Sequence, residues 1–369
     1  MPDLLSTTGG IQSFSRHFIE ALGAAVSSND IRVFAKNDNP MTIPQGNGFR
    51  HTSAFGDWPP LLRTPRFASE CLRYALQEHP RLIVSTHLHF GPLARVVHHA
   101  IRTPYVLVAY GVEAWHLNHR YRRKALEKAD LVLAVSRYTR EWLIREDGLD
   151  PERIEILHPT FSTNRFSVLP KSLRLLQKYD LELETPVILT VCRLAETERY
   201  KGYDQIVRAL PKILCVVPNA RYLLVGTGPD RPRVEKLVSD VGVADAVILA
   251  GFIPDEELAE YYNLCNVFAM PSKAEGFGIV YLEALACGKP VLAGNRDGSR
   301  DALADGELGI LVDPDDTDQI ARELILVLRR QHSHQLIFQP ELLRQRVTEL
   351  FGFDVFRKTV EQGLNRFLS

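Results

Sequence analysis

Short apolar, β-branched runs alternate with helix-like segments along all 369 residues, and this alternation most constrains the fold. In the first part of the chain the runs are 31–35, 81–85, 105–109, 131–135 and 154–157. In the second part they are 187–191, 222–225, 247–250, 267–270, 291–293 and 310–312. Most are nearly continuous in apolar residues, the pattern of strands covered on both faces. Helix-like segments fall between them at 11–26, 67–78, 137–146, 203–216, 256–264, 279–287 and 316–330. Such alternation builds parallel sheets with helices on both faces. Two series of it predict two doubly wound α/β domains, with a boundary in the polar stretch 159–185.

The start departs from this plan. Residues 1–10 read Met-Pro-Asp-Leu-Leu-Ser-Thr-Thr-Gly-Gly and lead directly into a helix pattern. A doubly wound domain opens with a strand before its first glycine turn. The readings are therefore a truncated start or a very short first strand.

Composition narrows the partners. Lys and Arg number 44 against 45 acids, so no basic domain points to nucleic acid. No apolar run approaches the ~20 residues of a membrane span, and the N-terminus lacks a signal-peptide core. The expectation is a soluble cytoplasmic protein, with room for peripheral contact at the inner membrane. Cys71, Cys192, Cys215, Cys265 and Cys287 form no C-x-x-C pair. They read as small buried hydrophobes in a reducing compartment, Cys192 in a strand-like run and the last three in helix-like ones.

Ligands of open parallel sheets bind beyond the carboxyl ends of the strands. After run 267–270 comes Pro-Ser-Lys-Ala-Glu275-Gly276-Phe277-Gly278-Ile279, then a helix carrying Glu283. Its glycines delay the helix start. The loop then offers backbone N–H groups to an anion, and Glu275 and Glu283 can hold sugar hydroxyls. A capping loop with two surface acids is the plainer alternative. After run 187–191 come Arg193 and Lys201, suited to a diphosphate, Arg as a fork and Lys as a point charge. Alone, either is a solvated surface cation. Gly226 and Gly228 form a weak glycine turn after run 222–225, and Gly251-Phe252-Ile253 ends another strand. Gly9 and Gly10 could let backbone approach a phosphate or sugar. His87 and His89 follow a strand without metal spacing. Asp313-Pro-Asp-Asp316 reads as a turn and helix cap rather than a metal-binding D-x-D.

Together these motifs resemble the GT-B glycosyltransferases of the retaining family 4. The resemblance covers almost the whole chain and is strongest from 186 to about 313. The family's Glu-x7-Glu motif matches Glu275 and Glu283, within Glu-Gly-Phe-Gly. Its diphosphate-binding Arg and Lys match Arg193 and Lys201, its Gly-Gly loop matches Gly9-Gly10, and its strand-ending serine matches Ser136. One departure concerns the family's His-Gly-x-acid segment, which here reads Tyr110-Gly111-Val112-Glu113. A tyrosine does not titrate near pH 7 unless strongly perturbed.

The resemblance implies a GT-B fold, residues 1–165 completed by a C-terminal helix at 351–369, and a donor domain at 166–350. It implies a retaining transfer without metal or cofactor. Arg193, Lys201 and Glu275 would serve catalysis. Gly9, Gly10, Gly226, Gly228, Phe252, Ile253, Gly276, Phe277, Gly278, Ile279 and Glu283 would bind the donor. Tyr110, Glu113 and His87 would lie near substrate. A UDP-sugar is the favoured donor, and a glycan or lipid-linked acceptor in bacterial polysaccharide assembly the expected partner. Loss of Arg193 or Lys201 should cripple transfer and spare the fold. The basic-apolar stretch 58–66 and the basic run 119–124 could meet an anionic lipid surface or a lipid-linked sugar, or be solvated faces. A nucleotide-sugar epimerase of the same fold and a non-catalytic nucleotide-sugar-binding protein are the alternatives.

Overall fold

The computed structural model describes residues 1, 2, 4, 9–26, 30–39, 52–115, 117 and 119–368. The chain folds as two units, Met1–Thr160 with Phe353–Ser369, and Phe161–Gly352.

The first unit holds two parallel sheets rather than the single one expected. Strands β1 (Val33–Ala35) and β2 (Thr52–Ala54) pair with each other. Strands β3 (Ile83–Ser85), β4 (Tyr105–Ala109), β5 (Leu131–Ala134) and β6 (Ile154–Ile156) pair in chain order. Every residue of β4 and β5 is buried, as their unbroken apolar composition requires. Residues 1 and 2 run beside β1. The Met1 amino group donates to the Phe34 carbonyl at 3.0 Å, and Lys36 and Asn37 N–H donate to the carbonyls of Met1 and Pro2. Residues 1 and 2 thus lie at this edge beside β1, and residues 3 and 5–8 lie outside the described residues. Helix Gly10–Ala25 follows, and the last helix, Phe353–Leu368, packs on it with Phe14 and Phe356 edge to face.

The second unit is one six-stranded parallel sheet: β7 (Val187–Val191), β8 (Arg221–Val225), β9 (Val247–Gly251), β10 (Val267–Met270), β11 (Val291–Gly294) and β12 (Ile310–Val312). Their order across the sheet is β12-β11-β10-β7-β8-β9. That is the doubly wound order of dinucleotide-binding folds, in which the strand order reverses between the first and fourth strands, here β7 and β10. The buried polar group of β7 is satisfied: Thr190 Oγ1 donates to the Ala269 carbonyl and accepts from the Tyr222 hydroxyl.

Several sequence expectations change. The basic-apolar stretch 58–66 is largely helical: a helix runs Pro60–Glu78, starting seven residues earlier than the periodicity suggests. Pro60 occupies its first position, where a missing N–H costs nothing. Helices Gly91–Ile101, Arg120–Glu127, Leu173–Lys178, Arg231–Val241 and Pro340–Phe351 also form beyond those expected. Arg120–Glu127 buries only Ala125 and Leu126, so it carries no apolar period to read. Cys265 and Cys287 are buried, but Cys215 is exposed and Cys71 and Cys192 are half-buried, which corrects the uniform reading. Asp316 caps helix Thr317–Leu328, accepting from Asp318 and Gln319 N–H. Among the described residues no helix is long and apolar enough to cross a membrane.

Candidate functional site

The reversal of strand order between β7 and β10 defines a crevice at their carboxyl ends. The loop after β7 carries Arg193 and a 3-10 turn, Glu196–Lys201. The loop after β10 carries Glu275 and leads into helix Ile279–Ala286, which carries Glu283. Residues far apart in sequence are thus brought to one place by the pairing of β7 with β10.

The two loops are locked together. Lys273 N–H donates to the Tyr200 carbonyl at 2.9 Å. Gly202 has φ 84°, and a side chain there would meet the Pro271 carbonyl oxygen at 2.2 Å. Only glycine permits that conformation together with that approach. Lys201 is thereby set against Glu275, with Nζ 2.9 Å from Oε2. A second carboxylate, Glu198, lies 3.9 Å from Lys201 and pairs with Arg193. Burial pulls against the Lys201 charge, but Glu275, then Tyr200, Cys192 and Glu198, outweigh it and raise its pKa. Lys201 is therefore a fixed cation. Arg193 differs: 80% of its side chain is exposed, and its guanidinium is held by Glu198 alone among the described ion pairs.

Asp297, which sequence reasoning missed, holds the Glu275 loop. Its Oδ2 accepts from Ser272 Oγ at 2.5 Å and from Glu275 N–H at 2.6 Å, and its Oδ1 from Ser299 N–H at 3.0 Å. Burial pushes its carboxyl up to about 6, against the pull of those donors. Asp297 follows β11, the sheet neighbour of β10, and nothing in the local sequence marks it.

Glu283 is half-buried and accepts from the Tyr262 hydroxyl at 2.7 Å. Burial pushes its carboxyl up to about 7, opposed by that hydrogen bond and by the Arg165 charge. One oxygen is thus committed to the fold.

The expected donor contacts divide. Phe277 and Ile253 are buried side chains, Phe277 edge to face with Phe351, so their part in a site is limited to backbone. Phe252 is exposed. Gly276 and Gly278 flank Phe277 at the helix start, with Ile279 half-buried as its first residue. Packing requires glycine at 226 and 228. Side chains there would meet the Cys192 and Leu194 carbonyl oxygens at 1.8 and 2.1 Å. These glycines let the turn after β8 press against the Arg193 loop.

In the first unit the candidate groups are engaged by the fold. Gly9 and Gly10 are exposed at the start of the first helix. The Tyr110 hydroxyl is buried beside Ser15 and Thr86, whose hydroxyls bond each other at 3.0 Å, without a well-formed hydrogen bond of its own. Burial raises its pKa well above the ordinary value. Glu113 accepts from Tyr110 N–H at 2.6 Å, and burial raises its pKa. His87 stacks on His89 at 4.4 Å. Burial, with His89 adding to it, lowers the His87 pKa to about 4, so it is neutral at pH 7. Ser136 caps helix Arg137–Arg145. Among the described residues no group of three or more His, Cys, Asp or Glu side chains is placed to hold a metal ion.

Two parallel-sheet α/β units, the second wound in nucleotide-binding order, define the GT-B class of glycosyltransferase folds. Known proteins agree. Anabaena HepE, solved with UDP, superposes with TM-score 0.81 at 19% identity over 99% of this chain and 98% of that one. Sucrose-phosphate synthase from Thermosynechococcus elongatus superposes with TM-score 0.81 at 23% identity over 98% and 94%. Residues 174–339 match the family Glycosyl transferases group 1, and residues 8–165 match Glycosyltransferase Family 4. The GDP-mannose-dependent alpha-(1-6)-phosphatidylinositol monomannoside mannosyltransferase of Mycolicibacterium smegmatis is 33% identical over 336 residues, 85% of this chain and 84% of that protein. The D-inositol 3-phosphate glycosyltransferase of Acidothermus cellulolyticus is 36% identical over 54% of this chain and 47% of its own length. The chain belongs to glycosyltransferase family 4, and it is a glycosyltransferase.

Proposed function

We propose that the protein transfers a sugar from a nucleoside-diphosphate sugar to a lipid-linked or glycan acceptor, with retention and without a metal. The observation that carries this is the convergence of Arg193, Lys201 and Glu275 at the β7–β10 reversal. A departing diphosphate needs positive charge, and a metal-free site must supply it from side chains. Arg193 and Lys201 would receive the diphosphate, the Glu275 carboxylate would accept from a sugar hydroxyl, and Glu283 from the ribose. The leaving phosphate oxygen would take the acceptor's proton, so transfer on one face of the sugar needs no protein nucleophile. Proton NMR of the product's anomeric linkage tests retention, and an inverted product refutes it. Undiminished turnover in excess EDTA is expected.

The donor expectation shifts. The UDP-sugar favoured from the motifs rests on general frequency. The mycobacterial relative that matches most of this chain is named for GDP-mannose, which makes GDP-mannose the better-supported donor. Calorimetry with GDP, UDP and ADP separates them: tight UDP binding with no GDP binding restores the first reading.

The same relative is named for a phosphatidylinositol mannoside acceptor, which favours a lipid-linked acceptor over a soluble glycan. Helix Pro60–Glu78 begins with Leu61 90% exposed and Leu62 53% exposed beside Arg63 and Arg66. Apolar side chains flanked by cations suit an anionic lipid surface. Flotation with anionic liposomes tests this contact, and salt-insensitive absence of binding rejects it.

A further inference from the structure

We propose that Glu198 is a built-in competitor for the donor's diphosphate: it holds Arg193 while no nucleotide is bound and releases it when the diphosphate arrives. This rests on the donor-site reading above. Glu198 is 8% exposed, on a turn between the two cations that reading assigns to the diphosphate. One carboxylate oxygen pairs with Arg193. The other makes no hydrogen bond and faces Lys201 at 3.9 Å. A buried carboxylate that water cannot reach must find a cation. The Arg193 head, on a largely exposed side chain, is the cation that can come to it and leave again.

The charges explain why this matters. Arg193 and Lys201 are balanced by Glu198 and Glu275, so the group is neutral as it stands. An anionic diphosphate meets net positive charge only if Arg193 turns away from Glu198. Release need not disturb the turn, because other groups anchor it. Arg199 donates to both oxygens of buried Asp230, at 2.6 Å for the shortest contact, and Tyr203 and Arg233 also donate to Asp230. Lys273 N–H holds the Tyr200 carbonyl. Lys201 remains as counter-charge to Glu198 after Arg193 departs. The cost of separating the pair is subtracted from the affinity for donor and for product diphosphate alike, which limits product retention.

The test is a calorimetric cycle with GDP and UDP on the full chain: wild type, Glu198→Gln, Arg193→Ala and the double variant. Glu198→Gln is expected to bind the nucleotide about three- to fivefold tighter, the scale of a partly exposed ion pair. The gain should disappear in the Arg193→Ala background. Donor KM should fall with no rise in kcat. Unchanged or weaker binding by Glu198→Gln overturns the proposal, as does a gain that persists without Arg193. If thermal melting shows Glu198→Gln unfolded, Glu198→Asp replaces it. That variant keeps the charge but draws it back from Arg193; it should bind tighter by a smaller factor, and equal or weaker binding overturns the proposal. The donor-site reading fails separately, if Arg193→Ala leaves nucleotide affinity unchanged or wild type binds neither nucleotide.

Discussion

The two units use their polar groups differently. In Phe161–Gly352 the candidate residues pair with one another: Lys201 with Glu275, Glu198 with Arg193. In Met1–Thr160 they serve the backbone: Glu113 caps Tyr110 N–H, His87 caps a 3-10 turn, and the Tyr110 hydroxyl is enclosed beside two other hydroxyls. One unit therefore carries an exposed and an enclosed cation, each paired with a carboxylate, and the other carries enclosed groups, of which His87 and Tyr110 are neutral at pH 7. On the donor-site reading proposed above, the charges that would meet a diphosphate all stand in the second unit.

The largest effect should come from the cations of the second unit. Arg193→Ala and Lys201→Ala are each expected to lower turnover about a hundred- to thousandfold, read in a transfer assay with the true donor. Their effects on folding should differ, and here the structure revises the expectation that both spare the fold. Arg193 is exposed, and Lys201 remains beside Glu198 when Arg193 is lost, so its loss should cost no more than about 1 kcal/mol. Lys201 is largely enclosed, with 15% of its side chain exposed, against two carboxylates, and its loss should cost about 3 kcal/mol by urea unfolding. Near-normal turnover in both variants would remove the basis of the comparison.

Tyr110→Phe tests the other side. A group acting as general acid or base would cost about a hundredfold or more on removal. The enclosed Tyr110 hydroxyl is expected to cost far less in kcat. A loss matching that of Arg193→Ala would give the first unit a chemical role and break the contrast.

A pH measurement sharpens it. The Glu283 carboxyl is pushed up to about 7. A folded-state pKa above the unfolded value, about 4.3, means that the folded chain binds a proton the unfolded chain has lost. Its contribution therefore makes stability fall as pH rises from about 4.3 to about 7, and adds no further slope above that. Asp297, at about 6, acts in the same direction. Glu283→Gln should reduce the difference in urea midpoint between pH 5 and pH 8, and a difference equal to wild type would refute the assignment.

The smallest effect on folding belongs to Leu61→Asp in the first unit. Leu61 is 90% exposed, so stability should change by no more than about 0.5 kcal/mol. Liposome flotation should nevertheless weaken. Unchanged flotation would move any membrane contact away from this helix.

Much of the second unit could be read from its residues, because each strand is a continuous apolar run followed by the loop that matters. Arg193, Lys201, Glu275 and Glu283 all stand at legible positions. Their partnerships could not be read, since the Lys201–Glu275 pair depends on which strands become neighbours. Asp297 was hidden for the same reason: it acts on a loop 22 residues earlier in the chain, across the β10–β11 edge. The first unit was less legible. Strand β2 carries three residues, too few to show a period, whereas β1 falls within the run 31–35, and the prolines at 59, 60 and 65 hid the first turns of a helix. Tyr110 was seen as a departure, but its enclosure by Ser15 and Thr86 comes from two other elements.

The order β12-β11-β10-β7-β8-β9 also bears on how the protein comes into being. Strands β7 and β10 lie side by side, yet residues 192–266 separate them in the chain. Closing so long a loop is an entropic cost met before any native contact across that pairing is gained, which slows folding. Helices can form early and locally, but the Lys201–Glu275 pair cannot precede the pairing of β7 with β10. During refolding, nucleotide binding should therefore return later than helical circular dichroism, as a slow phase of its own. The arrangement that gathers the site from distant segments also makes it among the last parts of the unit to mature.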